Sequence, residues 1–114
     1  MEEIIRVVVY EEDGTFFAQC LEYDIMASSN NIDDLNAEIH RAFVNDMCVS
    51  HSKYGEFFAK IKPAPDRFFE MWNELASAEH VGGTWRRVKT ASIGQKNWDV
   101  QYLGAPILGQ MQFS

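Results

Sequence analysis

The sequence predicts an α+β fold, and three features lead to that prediction. A β-branched and aromatic run over residues 4–10 is followed by Asp13-Gly14 and a second such run over 16–23, which is the pattern of a β-hairpin. An apolar stripe at helical spacing begins at Ile32 and predicts an amphipathic helix. With 114 residues, of which 46% are hydrophobic and 24% charged, the chain has the size and composition of one globular domain.

The Asp13-Gly14 turn also predicts how the two strands pair. A two-residue turn at these positions places Val9 opposite Ala18 and Val7 opposite Cys20, on a face of small apolar residues that suits a covering helix. The opposite face is half aromatic and too apolar to be plain solvent surface, so we expect something to cover it. Its members include Tyr10, Phe17, Leu21 and Tyr23.

The segment after the hairpin predicts a short third strand over 25–29 and then a helix over 31–52. Asn31 stands where a helix cap belongs, and Asp33 and Asp34 follow in the first turn, where carboxylates favour the positive end of the helix dipole. We expect this helix to end near Gly55.

The prolines at 63 and 65 divide the chain into a first unit, 1–62, and a helix with a β-rich extension, 63–114, packed on the same domain. Asp66 should cap a second, shorter helix with Phe68, Phe69, Trp72 and Leu75 on its apolar face. Strand-like patterns follow over 84–90, 97–103 and 107–113. We expect a sheet of three or four strands with the first helix across one face.

Charge is concentrated in the first unit. Residues 1–62 carry twelve acidic and five basic side chains and account for the whole net charge of −7. An acidic unit repels nucleic-acid backbones and attracts basic proteins. Because the chain opens with Met1-Glu2-Glu3 and contains no apolar run of membrane-spanning length, we expect a cytoplasmic protein.

The sequence predicts no catalytic residues, no metal site and no cofactor, and we expect a protein that is not an enzyme. The acids of the hairpin turn lie a strand length from Glu22 and Asp24, so they do not converge on a metal pair. Cys48 and His51 lack the second pair of ligands that structural zinc requires. Two cysteines cannot form a disulfide scaffold.

Residues 7–25, which read VVVYEEDGTFFAQCLEYDI, resemble the start of the HicB-like antitoxin family, with 31–35 in place of its helix-capping motif. The resemblance covers residues 4–50 and implies a β-β-β-α-β fold, a truncated ribonuclease-H-like arrangement. It also implies that the chain neutralises a small basic ribonuclease of the HicA type. Many such antitoxins carry a DNA-binding motif at the C-terminus, whereas residues 84–113 here have strand patterns.

We therefore expect a non-enzymatic binding module that masks a basic partner. Acidic side chains would steer the partner, and the aromatic face of the hairpin would anchor it. The acids are Glu11, Glu12, Glu22 and Asp24, and the anchor is Tyr10, Phe17, Leu21 and Tyr23.

Two other functions remain open. The chain can be a structural homo-oligomer that has lost its partner, because an uncovered apolar sheet face is often buried by a second copy. It can also bind RNA weakly through a basic stretch in which tryptophans alternate with cations. The cations of that stretch are Arg86, Arg87, Lys89 and Lys96.

Overall fold

A computed structural model describes residues 3–55, 60–77, 83–93 and 96–106, which form a five-stranded mixed sheet with a helix on each face. The strand order is β3-β2-β1-β5-β4. The α+β prediction is confirmed. The strands are β1 (Glu3–Glu12), β2 (Thr15–Cys20), β3 (Met26–Ser29), β4 (Trp85–Ile93) and β5 (Lys96–Gly104), and the helices are α1 (Leu35–Tyr54) and α2 (Asp66–Ala76).

The hairpin has the predicted register. Val9 lies opposite Ala18 and Val7 opposite Cys20, and the ladder runs from the turn to that last pair. Asp13 and Gly14 have φ angles of 51° and 81°, the left-handed values that a type I′ turn requires at both central positions. Local turn chemistry therefore accounts for which residues of the two strands lie opposite one another.

The sheet is larger than the sequence predicts, because the strands of the second half belong to it. β5 pairs in parallel with β1 from Glu3 to Val9, and β4 pairs antiparallel with β5. The two predicted units thus share one sheet, and β5 lies between β1 and β4. The third predicted tail strand, 107–113, lies outside the described residues.

The predicted helix is present, but α1 runs from Leu35 to Tyr54 rather than over 31–52, and Asn31 caps a 3-10 turn before it. Asn31 Oδ1 accepts a hydrogen bond of 3.0 Å from the Asp33 N–H, and a short 3-10 turn, Ile32–Asp34, leads into α1. Gly55 ends α1 with a φ of 76°, and its N–H donates to the His51 carbonyl. α1 packs mainly on β3 and β2. The larger core cluster under it includes Ile5, Val7, Cys20, Leu35, Ile39, Phe43, Trp98, Val100 and Tyr102.

The second face of the hairpin is covered by α2. Pro65 occupies the N-cap position, so Asp66 is the first residue of this helix rather than its cap. Phe68 and Leu75 of α2 lie in a second core cluster with Leu21, and all three are less than a tenth exposed. This packing covers the centre of the second face, around Val8 and Leu21, while Ile4 and Met26 on the same face stay exposed.

Over the part of the chain that the structure describes, neither helix combines the length and the apolar character needed to cross a membrane.

Candidate partner-binding surface

Tyr10 and Phe17 form the outer part of the predicted anchor. They are cross-strand partners, and their rings stack with centroids 5.1 Å apart and planes 15° from parallel. The Tyr10 ring also lies 6.0 Å from that of Phe68. Both residues of the Tyr10–Phe17 stack are half-buried, so part of each ring faces solvent. Burial, reinforced by the charge of Glu12 and opposed by Arg67, raises the pKa of Tyr10 and keeps its hydroxyl protonated.

Leu21 and Tyr23 do not belong to this surface, and their assignment to the anchor is wrong. Leu21 is fully buried under α2. Tyr23 packs on the α1 side of the sheet, where its ring meets Trp98 edge-on at 6.4 Å. The strand ends at Cys20, and Cys20 N–H bonds to the Ile25 carbonyl across a bend, so the alternation of faces does not continue to Tyr23.

Glu22 and Asp24 are engaged within the chain. Glu22 accepts hydrogen bonds of 2.6 Å from both the Arg6 backbone N–H and the Arg6 side chain, continuing the link between the strands beyond the end of the ladder. Asp24 Oδ1 accepts from Gln19 Nε2 at 3.0 Å. Gln19 is buried, so this bond secures the bend between β2 and β3. These contacts stabilise the fold, and Asp24 is nevertheless exposed, so the steering role expected of the two acids stays a prediction.

Glu11, Glu12 and Asp13 are exposed at the hairpin turn, as expected of residues that steer a partner. Thr15 Oγ1 donates to Asn30 Oδ1 at 3.1 Å, which ties the turn to the segment that enters α1. Two exposed acids of that segment, Asp33 and Asp34, therefore lie at the same end of the sheet. We call the five side chains the acidic end: Glu11, Glu12, Asp13, Asp33 and Asp34.

Sequence reasoning missed Met26 as a member of this region. Its side chain is 49% exposed. Met26 pairs with Gln19 and Ser28 with Phe17, so Met26 shares the Phe17 face of the sheet, one diagonal position away. The signal was present, because residues two apart on a strand share a face, but only the pairing of β3 with β2 relates Met26 to Phe17.

The four predicted RNA-binding cations are not gathered on one surface. In the β4–β5 register, Arg87 and Lys89 lie opposite Tyr102 and Val100, on the α1 face of the sheet. Arg86 lies on the other face and donates to the Ala76 carbonyl at 3.4 Å. Lys96 lies at the far end of the β4–β5 hairpin, opposite Ile93. A single strand of RNA stacking along one face would not contact all four.

Among the described residues, no group of three or more His, Cys, Asp or Glu side chains is placed to hold a metal ion. The groups with clearly shifted pKa values are Tyr10, Cys20 and Tyr102, and burial is the main cause in each case.

The buried Cys20 thiol should make the protein less stable in alkali. Burial raises its pKa from 9.0 to about 12, with a smaller contribution from the Glu22 charge. Between these values the thiol ionises only in the unfolded chain, so its stabilising contribution is complete below pH 9 and is lost as the pH rises toward 12. We expect the free energy of unfolding to fall by up to about 1.4 kcal/mol per pH unit from this group.

Urea unfolding at pH 7 to 10 measures this slope. Cys20→Ala should remove the part of the slope that begins near pH 9. Cys48→Ala is the matched control, because Cys48 is exposed and its removal should leave the slope unchanged. Equal slopes in the wild type and Cys20→Ala would contradict the assignment.

The chain was compared with protein-family models, curated proteins and solved structures, and none of them matches it.

Proposed function

We propose that this protein is a non-enzymatic binding module that resembles a HicB antitoxin and masks a small basic ribonuclease. The observation that carries the proposal is the half-buried Tyr10–Phe17 stack beside the acidic end, on one end of one sheet. Apolar rings partly open to solvent and rimmed by charge are typical of a protein-binding surface.

The element order supports the same proposal. β1, β2, β3 and α1 follow one another, and a later strand, β5, pairs in parallel with β1. This agrees with the β-β-β-α-β succession that the HicB resemblance implies, with α2 and β4 inserted before the last strand. In this proposal, β1, β2, β3, α1 and β5 together correspond to the truncated ribonuclease-H-like arrangement that the resemblance implies.

The mechanism separates into steering and anchoring. The acidic end attracts a basic partner and so raises the association rate. Added salt screens the charges and shortens the distance over which this attraction acts. Tyr10 and Phe17 then lose their remaining exposure to water in the complex, which slows dissociation. Leu21 and Tyr23 take no part, because both are engaged in the protein's own core.

The test is binding to the small basic protein encoded beside this gene, if the adjacent reading frame encodes one. Glu11→Gln with Glu12→Gln should lower the association rate by about threefold to tenfold at low salt and leave dissociation nearly unchanged. Phe17→Ala should instead raise the dissociation rate about tenfold or more. Asp46→Asn with Asp99→Asn is the control, since it removes the same charge on α1 and at the opposite end of the sheet.

A stable homo-oligomer that binds no basic protein would contradict the proposal, as would equal effects of the two acid pairs. The homo-oligomer alternative loses support where α2 buries Val8 and Leu21, whereas Ile4, Met26 and Val88 stay exposed on the same face. The RNA alternative likewise has less support, because its four cations are divided between faces and ends of the sheet.

A further inference from the structure

A groove separates α1 from β4 on the face opposite to the Tyr10–Phe17 stack. Its volume is about 500 Å³, within the usual range of small-molecule sites. It exists because a helix about 10 Å wide cannot cover five strands spaced about 4.8 Å apart. α1 packs mainly on β3 and β2, and β4 is the edge strand beyond the buried residues of β5, so the groove opens between α1 and β4. The lining residues are Asn36, Ala37, His40, Arg41, Val44 and Lys89.

The inner wall of the groove carries a buried amide, that of Asn36. Asn36 is only 5% exposed, and its Oδ1 accepts a hydrogen bond of 3.3 Å from the Tyr102 hydroxyl. Burial raises the pKa of Tyr102, so the hydroxyl stays a donor. Because Asn36 Oδ1 accepts from Tyr102, the NH₂ group is the part of the Asn36 amide that can donate to a molecule in the groove.

The charge lining the groove is basic, in a protein whose net charge is −7. Arg41 approaches from α1 and Lys89 from β4, so cations stand on both walls, with His40 beside them. None of the residues that line the groove is acidic. Glu38 lies one turn before Arg41 on α1, and Glu38 Oε1 accepts from Arg41 Nη1 at 2.5 Å. The guanidinium has further N–H donors beyond the one that Glu38 accepts.

We propose that this groove binds a small organic anion, with its acidic head between Arg41 and Lys89 and an apolar body against Ala37 and Val44. The buried amide of Asn36 orients the head from within. This site is independent of the proposed antitoxin function, because it lies on the other face of the sheet and shares no residue with the acidic end or the stack. Loss of one would leave the other intact.

Binding of 2-naphthoate, followed by isothermal titration and by ¹H–¹⁵N spectra, tests the proposal. We expect saturable binding, with shifts centred on Asn36 and Val44. The uncharged amide of the same shape, 2-naphthamide, should bind at least about tenfold more weakly, because it lacks the charge that the two cations recognise. Failure of 2-naphthoate to saturate at about 1 mM, the weak end of specific affinity, would overturn the proposal.

Variants give effects of opposite sign. Arg41→Gln and Lys89→Gln should each weaken 2-naphthoate about fivefold to tenfold, whereas Glu38→Gln should strengthen it, because it frees the Arg41 donor and removes a competing carboxylate. Lys53→Gln is the matched control, an exposed cation in the last turn of the same helix. An equal loss in Lys53→Gln, or shifts centred on Arg86 and Lys96, would indicate unspecific attraction to basic side chains and would overturn the assignment.

Discussion

A chain shortened after residue 83 should fail to fold. The cut removes β5, which pairs with β1 over seven residue pairs, and with it three residues of the main core, Trp98, Val100 and Tyr102. β1 would become an unpaired edge, and Ile5 and Val7 would lose their neighbours on one side. Far-UV circular dichroism and amide shift dispersion should both show a largely unfolded chain.

Fragment complementation provides the control for this truncation. A peptide of residues 84–114, added to the shortened chain, should restore strand signal and a cooperative urea transition, because the missing elements are contiguous in sequence. Cooperative unfolding of the shortened chain alone would show that β4 and β5 are not needed and that residues 1–83 fold without them. Recovery with an unrelated β-rich peptide would also count against a specific role for β5.

Phe68→Ala should cost about 3–5 kcal/mol of the free energy of unfolding. The Phe68 side chain is 3% exposed and fills the space between α2 and the hairpin face that carries Val8 and Leu21. A domain of this length has a total stability of about 6–17 kcal/mol, so the loss would be a large part of it. Urea denaturation monitored by circular dichroism measures the difference.

Tyr54→Ala is the matched aromatic control for Phe68→Ala. Tyr54 is 51% exposed at the last residue of α1, so we expect a change within about 1 kcal/mol. A loss in Phe68→Ala no greater than that of the control would mean that α2 does not cover the second face. In that case the apolar face would be uncovered, and its burial by a second copy would again support the homo-oligomer hypothesis.

The hairpin and α1 were predictable because their signals are local. Asp13-Gly14 accepts the left-handed backbone of the turn, and this alone places Val9 opposite Ala18. Asn31 and Gly55 mark the two ends of the helical region through a side-chain acceptor and a left-handed φ. Each of these choices is made by a few neighbouring residues, so it does not depend on the rest of the fold.

The candidate surface was only partly predictable. Alternation along β2 correctly pairs Phe17 with Tyr10, but it fails beyond Cys20, where the strand ends. Past that point the bend carries Leu21 beneath α2 and turns Tyr23 toward Trp98. A pattern of period two is valid only while the backbone remains a strand, and the sequence contains no strong turn signal at this bend.

By itself, the sequence determined the hairpin register, the presence of α1 with its end at Gly55, and the concentration of negative charge in the first half. Only the tertiary structure decided that β5 lies between β1 and β4, that α2 covers the second apolar face, and that a groove with basic walls opens beside α1. The physical reason is range. Turns and caps act between residues close in the chain. Strand order and helix placement depend on contacts between residues far apart, and several apolar segments of similar pattern could make those contacts equally well.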